Sequence, residues 1–574
     1  MKTYRSLIAA SLMLAALVPL QTRAAVNTWD NTSADSLWNN TSTNWISPTV
    51  WADGDDAVFG ATGAGAISLS TAITAHNITN STGDYSFNSP GGSTLTLGGT
   101  TPTISVGSSN FVLGVSLQGT NGLTVQGTAP TNKLTLAGNT PFGQGNNYTG
   151  GTYVRSGTVE MNAEPVNGGS QYAIDSIEAL DARATVKFFN AFDGVNNVRV
   201  NQNGQLVRTL NNRINMTGGT FDMCGDDNRN QVPVVQGTGT VLNSSEYSRA
   251  VLKMVVPAGT YTFSGVIADG GSVTNSLVSG KVAHRLDVDV QDGNGTFVMA
   301  GANTYSGSTR RGSAILQMSG AGRLGIPTTN TPAIGLRVNG SDSDPILIDL
   351  NGTSQRVSGI GGGGGLIGNT AAATTSVLTV GKVDGSTDTG TPSWSGKLVN
   401  GAGVLALTKV GTNTQAFGGS GNTYSGNTTV SNGILAFTSV TAVSPSTSMR
   451  LSTSAGTLAL SYAGTAPVAG LVINGVSMPN GIYGASTAPI ASTGFIQVAG
   501  SSTRPTLSFT ASGGSLNFSW PGGVGSFKLQ AQTNSASVGL TGTWSDYPGG
   551  GSNPVSVPII PGNPTVFFRL APAP

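Results

Sequence analysis

One short motif occurs three times and is followed each time by an apolar strand. The copies are Asn146-Asn-Tyr-Thr-Gly-Gly-Thr152, Asn303-Thr-Tyr-Ser-Gly-Ser-Thr309 and Asn422-Thr-Tyr-Ser-Gly-Asn-Thr428. The first and third copies align residue for residue, with Thr152, Val154, Gly157, Val159 and Met161 against Thr428, Val430, Gly433, Leu435 and Phe437. The middle copy keeps Thr309, Leu316 and Met318 but places Arg311 and Ala314 at the second and third positions. A unit repeated in this way is one step of a stacked array, so repetition points to a solenoid before any single residue is weighed.

A longer repeat surrounds the short one. Phe221-Asp-Met-Cys-Gly225 matches Ile348-Asp-Leu-Asn-Gly352, and Phe263-Ser-Gly-Val-Ile-Ala-Asp-Gly270 matches Trp394-Ser-Gly-Lys-Leu-Val-Asn-Gly401. The offsets between copies run from 119 to 131 residues, as insertions in surface loops would produce. Each piece is a strand of about 5 residues with a turn, too small to bury its apolar face alone. Parallel stacking, rung on rung, gives a continuous core and pairs the backbone between neighbours. The tyrosine of the motif can then either stack on neighbouring rungs or close a corner through its hydroxyl, in both cases as a packing residue.

Composition agrees. The chain has 574 residues, 83 of them glycine, with 9% charged and 38% hydrophobic side chains. Disordered chains combine low hydrophobicity with high net charge, and this chain has neither. Short Val, Ile, Leu and Thr runs between Gly, Asn and Ser clusters read as strands and turns. The five glycines from Gly361 to Gly365 read as a corner, not a phosphate cradle.

Residues 1–24 read as a secretory signal: Lys2 and Arg5, an apolar run from Leu7 to Leu20, and a small-x-small site at Thr22-Arg-Ala24. The run falls short of the roughly 18 residues a membrane span needs, and no later run approaches that length. Removing it leaves 24 basic against 26 acidic residues, a formal charge of −2. That balance carries no footprint for nucleic acid or anionic lipid. Cys224 is the one cysteine, so no intrachain disulfide forms; it reads as a packing residue in a strand running into a turn.

Four tryptophans, Trp29, Trp38, Trp45 and Trp51, fall within 23 positions near the start. They read as an atypical end unit covering the first open rung. The alternative is an aromatic sugar-binding surface, with Trp38, Trp45 and Trp51 as its glycan contacts. From about Arg504 the pattern changes to alternation at period two, as in Leu516, Phe518 and Trp520, which predicts five or six antiparallel strands in a small β-sandwich.

Several of these segments carry a resemblance. Gly301-Ala-Asn-Thr-Tyr-Ser-Gly307, Leu407-Thr-Lys-Val-Gly411 with Gly421-Asn-Thr-Tyr-Ser-Gly426, and Asp349-Leu-Asn-Gly352 resemble the autotransporter-associated β-strand repeat family. The opening from Trp38 to Phe59, the segment Ile473 to Gly484 and the tail from Leu529 to Leu570 are similar to parts of large secreted proteins of Verrucomicrobia and related bacteria that bear such repeats. The resemblance implies a right-handed parallel β-helix of passenger type, outside the cell or on the surface of a Gram-negative-type bacterium. The alternating tail is too short for a membrane β-barrel, whose strands take about 10 residues each.

The division expected is therefore a signal at 1–24, a Trp-rich cap with the first rungs at 25–93, a parallel β-helix at 94–498 with repeat motifs near 146–161, 303–318 and 422–437, a linker at 499–504 and a β-sandwich at 505–574. Two histidines, His76 and His284, exclude a histidine-rich zinc or iron site. Oxygen ligands for structural calcium are offered by Asp287-Val-Asp289-Val-Gln-Asp292-Gly-Asn294, Asp226-Asp227 and Asp342-Ser-Asp344, without a calcium-binding nonapeptide pattern. No cofactor is expected.

Catalysis on a β-helix would need a carboxylate pair, and Asp222, Asp226, Asp227 and Arg229 are the candidates. Asp222, however, aligns with Asp349 in the second module, as a structural residue would. No Gly-x-Ser-x-Gly elbow or phosphate loop occurs. The expectation is a non-enzymatic, secreted or surface-displayed structural or adhesin-like protein whose partners are an extracellular glycan or a cell-surface component. A glycan-binding accessory protein is the alternative, and a β-helix polysaccharide lyase or hydrolase is the third reading.

Overall fold

The structure is a computed structural model that describes residues 24–108, 110–137, 146–161, 177–188, 213–225, 231–274, 282–329, 331–341, 343–383, 390–454, 456–498, 506–520, 527–535 and 537–572. The expected signal (but for Ala24) and linker lie outside the described residues, as do Asp226, Asp227, Arg229 and Asp342.

Short alternating runs become the rungs of a parallel β-helix. Asp56–Phe59, Gly65–Leu69 and Ile73–Ala75 form one turn, Ile78–Asn80, Tyr85–Asn88 and Thr94–Leu97 the next, and Thr103–Val106, Phe111–Gly114 and Ser116–Gln118 a third. Each strand pairs in parallel with its equivalents on the neighbouring turns, which gives three sheet faces. Inward side chains stack in columns. Ala57, Ile78, Ile104, Val125 and Val154 form one, so successive turns take 21, 26, 21 and 29 residues. Ile67, Phe87, Leu113 and Leu136 form the second, and Ile73, Leu95 and Leu117 the third. Period-two alternation makes this possible: one face of each strand enters the core and the other meets solvent.

Four strands depart from the expected length. Thr152–Met161, Ile177–Phe188, Arg213–Asp222 and Gln231–Leu242 run for 10 to 12 residues across two faces. Their ladders slip where the chain turns the corner, between Val154 and Ser156 and between Thr217 and Thr220. Glycines sit at these bends, and the φ values of Gly157 (79°) and Gly237 (94°) are ones that side chains with a Cβ adopt at a cost.

Beyond residue 250 the short rungs resume. Trp394, Phe417, Phe437 and Leu460 lie in one column, with the three aromatic rings 6.2 Å apart in sequence. The stack then turns antiparallel: Gly470–Ile473 pairs with Val476–Ser477, and Gly481–Tyr483 with Phe495–Val498. The segment Ile473 to Gly484 thus includes a hairpin turn and an antiparallel strand at the end of the parallel array, where an open strand edge would otherwise face solvent.

The C-terminal residues form two three-stranded antiparallel sheets. One holds Ser508–Ser512, Ser515–Ser519 and Val555–Pro558; the other holds Ser545–Asp546, Phe527–Asn534 and Thr565–Pro572. They share their own core around Phe518, Trp520, Leu529, Val555 and Val557. No helix among the described residues is long and apolar enough to cross a membrane.

Candidate functional site

The three motif copies fold into the same corner. Leu117, Ile267 and Leu398 each donate a backbone N–H to the side-chain oxygen of Asn146, Asn303 and Asn422, at 2.9, 2.9 and 2.6 Å. The residue after each asparagine donates back to the same carbonyl-bearing residue: Asn147 to Leu117, Thr304 to Ile267 and Thr423 to Leu398. The amide of Asn303 donates forward to the Arg323 carbonyl at 3.0 Å, and that of Asn422 to the Ala442 carbonyl. The asparagine therefore ties a turn to the rungs on either side of it.

The tyrosine closes the corner from within. Tyr148, Tyr305 and Tyr424 are buried, and their hydroxyls bond the Oγ1 of Thr152, Thr309 and Thr428 at 2.7, 2.6 and 2.6 Å. Of the two roles open to it, the hydroxyl cap is the one it performs. Burial raises the Tyr424 phenol to about 12, and its bond to Thr428 opposes that only in part.

Arg311, the residue that breaks the pattern in the middle copy, points inward where Val154 and Val430 do. Its guanidinium is satisfied by backbone: Nε donates to the Ala314 carbonyl and a terminal nitrogen to that of Asn339, both at 2.7 Å. Lys409, one rung below Val430, uses the same device, donating to the carbonyls of Val410 at 2.6 Å and Gly411 at 2.9 Å. Burial pushes its ammonium down to about 8.

The candidate catalytic carboxylate Asp222 is a staple. Its Oδ1 accepts the N–H of Cys224 and of Ser244, each at 3.0 Å, and its Oδ2 the Ser244 hydroxyl at 2.6 Å. Asp349 does the same with Asn351 at 2.9 Å, Thr370 N–H at 3.0 Å and the Thr370 hydroxyl at 2.5 Å. Cys224 and Asn351 occupy equivalent left-handed positions, with φ of 42° and 44°. Burial pushes the Cys224 thiol up. A second pair emerges here that the sequence reading missed: Asn243 accepts from Gly225 and Ser245, and Asn369 accepts from Gly352 and Ala371. Asn243 and Asn369 lie 126 residues apart, one short of the 127-residue offset of Asp222 and Asp349, so the signal was present one rung further on with a single-residue deletion.

The proposed glycan contacts Trp38, Trp45 and Trp51 are corrected by the structure. They are 0%, 1% and 2% exposed, inside the first turn, with ring centroids 4.9 to 5.5 Å apart. Trp38 also packs on Phe59 at 5.4 Å. Large rings with few polar atoms fill the core of the first turn, so none of the three offers a face to a sugar. Around them Asn44 donates to the Leu37 carbonyl at 2.9 Å and accepts from Ser33. Partial burial disfavours the Asp35 carboxylate, but bonds from Leu37 N–H, Asn44 and Ser42 outweigh it and hold the group at about 2.

The Asp287 run, offered for calcium, is met by cations of the chain itself. Arg249 lies 3.2 Å and Arg285 3.4 Å from Asp287, which also accepts the Ser308 hydroxyl at 3.1 Å. Asp289 faces Arg310 at 3.9 Å. Among the described residues no three His, Cys, Asp or Glu side chains converge.

An open groove of 320 Å³ lies instead on the outer face of the first rungs. Val58, Thr79, Ser105 and Gln126 form one outward column across it. Beside that column Asp56 accepts the Asn77 backbone N–H at 3.0 Å, and Asn77 accepts that of Thr103 at 3.0 Å. Gln126 donates to Ser105 Oγ at 2.9 Å, and His76 Nδ1 lies 3.2 Å from Asp56 Oδ1. No local motif marks this surface, because its members come from four successive turns.

The family model described as passenger-associated-transport-repeat matches residues 131–161, 290–310 and 407–437. All three matches contain a motif tyrosine and its threonine. The chain is also 28% identical over 173 residues to the Adhesin BmaC autotransporter of Brucella suis biovar 1 (strain 1330), a match that covers 31% of this chain and 4% of that relative. No solved structure gives a significant match. The chain thus carries three segments similar to the passenger-associated-transport-repeat, set at equivalent corners of one parallel β-helix.

Proposed function

We propose that the chain is a secreted or surface-displayed, non-catalytic β-helical protein that acts in attachment. The observation that carries this reading is the threefold Asn–Tyr–Thr corner within matches to a passenger repeat. The relative is named an adhesin, and its similarity to this chain supports attachment as the role. The engagement of Asp222 and Asp349 with backbone and hydroxyl groups supports a structural rather than a catalytic use of those carboxylates. Its partner is an extracellular glycan or another cell-surface component.

Fractionation of the native cells with protease treatment of intact cells tests the placement. The proposal expects the mature chain outside the cell, either in the medium or degraded by protease without lysis. A chain protected until the cells are lysed contradicts it.

A further inference from the structure

We infer that the outer groove of the first rungs binds an extended, uncharged polysaccharide. This rests on the attachment reading and adds to it a ligand class and a place. The groove is shallow and open, and its lining mixes hydroxyl, amide and methyl groups: Thr79, Ser105 and Gln126 with Val26 and Val58. That is the surface a sugar requires, since a pyranose offers hydroxyls at its rim and C–H groups on its faces. The Thr79 hydroxyl and Asp56 Oδ2 make no hydrogen bond to described residues, so both are available as a donor and an acceptor.

Charge selects within the class. Asp56 is the one acidic residue in the lining, and there is no Lys or Arg there to hold a carboxylated or sulfated chain. On the next turns of the same face Arg155 pairs with Asp181 at 3.1 Å and lies 5.4 Å over the Tyr153 ring, Arg213 sits 3.9 Å from Glu178, and the exposed Arg183 follows Gln126 and Ser156 in register two turns beyond the lining. An anionic polymer would meet the Asp56 carboxylate, whose Oδ1 is held by Asn77 and lies 3.2 Å from His76 Nδ1 while Oδ2 makes no hydrogen bond to described residues. Repetition adds direction. Successive turns lie about 4.8 Å apart, close to the length of one pyranose unit, so equivalent outward side chains meet successive units of a polymer laid along the solenoid axis.

The sequence positions allow a clean test, because Thr79 and Ser105 point away from the core. Affinity electrophoresis of the mature full-length chain would use the neutral polymers xyloglucan, galactomannan and dextran, and the anionic polymers alginate and polygalacturonate. Retardation by at least one neutral polymer and by neither anionic one is expected. Thr79→Val with Ser105→Ala should weaken that retardation at least tenfold with the thermal melt unchanged, and Thr79→Arg should abolish it. Retardation by an anionic polymer alone, by none, or equally in the wild type and the folded variants overturns the proposal. Attachment of cells displaying the wild-type chain separates the two readings: attachment by a chain that no neutral polymer retards refutes the groove and leaves the attachment role standing.

Discussion

The Tyr305 hydroxyl lies 2.6 Å from Thr309 Oγ1, four residues further along the chain, and both side chains are fully buried. Neither can be changed without leaving the other short of a partner. Thr309→Val is expected to cost about 1–3 kcal/mol, the range for an orphaned buried donor. Tyr305→Phe should cost about 1 kcal/mol, and the double variant less than the sum of the two. Denaturant melts of the three variants check this, and strict additivity would show that the hydroxyls do not act as a pair.

Asp349 holds a turn to the next rung through four acceptor contacts, including Gln317 at 2.8 Å. Asp349→Ala is predicted to destabilise by about 2–4 kcal/mol, because several buried donors lose their acceptor together. Asp222→Ala should do the same at the earlier module. Thermal unfolding of the two variants should show similar losses, and a neutral result at either site would contradict the staple.

Asp289 is 2% exposed and its Oδ1 has no hydrogen-bond partner. Burial raises its carboxyl to about 6, with Arg310 and Lys253 opposing that only in part. The folded state thus keeps a proton that the unfolded chain releases near pH 4. The contribution of this group to stability is complete below about pH 4, falls as pH rises, and is lost above about pH 6. Asp289→Asn should remove that slope and stabilise the chain at pH 7 by on the order of 2 kcal/mol. Urea unfolding at pH 4 and pH 7 measures both effects. A variant weaker than wild type at pH 7 would mean that the Arg310 pair outweighs burial.

Trp38 is enclosed by Trp45, Trp51, Phe59 and Phe87. Trp38→Ala should therefore cost about 3–5 kcal/mol as a cavity in the first turn. Its effect on any ligand should follow the loss of folded protein. Ligand binding measured per folded molecule at low temperature separates the two, and a selective loss of binding with stability intact would restore the aromatic surface.

Much of this architecture is legible in the sequence because each rung is local. The motif at 146, 303 and 422 marks its corner by residue type alone, and the alternation in segments such as Thr375–Val380 states which side chains face inward. Asp222 and Asp349 were recognisable as structural from their shared offset. The long bent strands were not, since a strand that turns a corner through Gly157 or Gly218 looks in sequence like two strands and a turn. The tryptophans near the start were ambiguous because a cap and a sugar platform use the same rings, and only burial separates them. The groove was illegible for a different reason: Val58, Thr79, Ser105 and Gln126 are brought together by rung spacing and not by any pattern along the chain.

Attachment is the property that the account stands on, and it can be measured directly. Intact native cells with and without the chain would be compared for retention under flow on the surface they colonise. The account predicts that cells lacking the chain detach at lower shear and that re-expression of the full chain restores retention. Equal retention of the two, with the chain confirmed outside the wild-type cells, would contradict it.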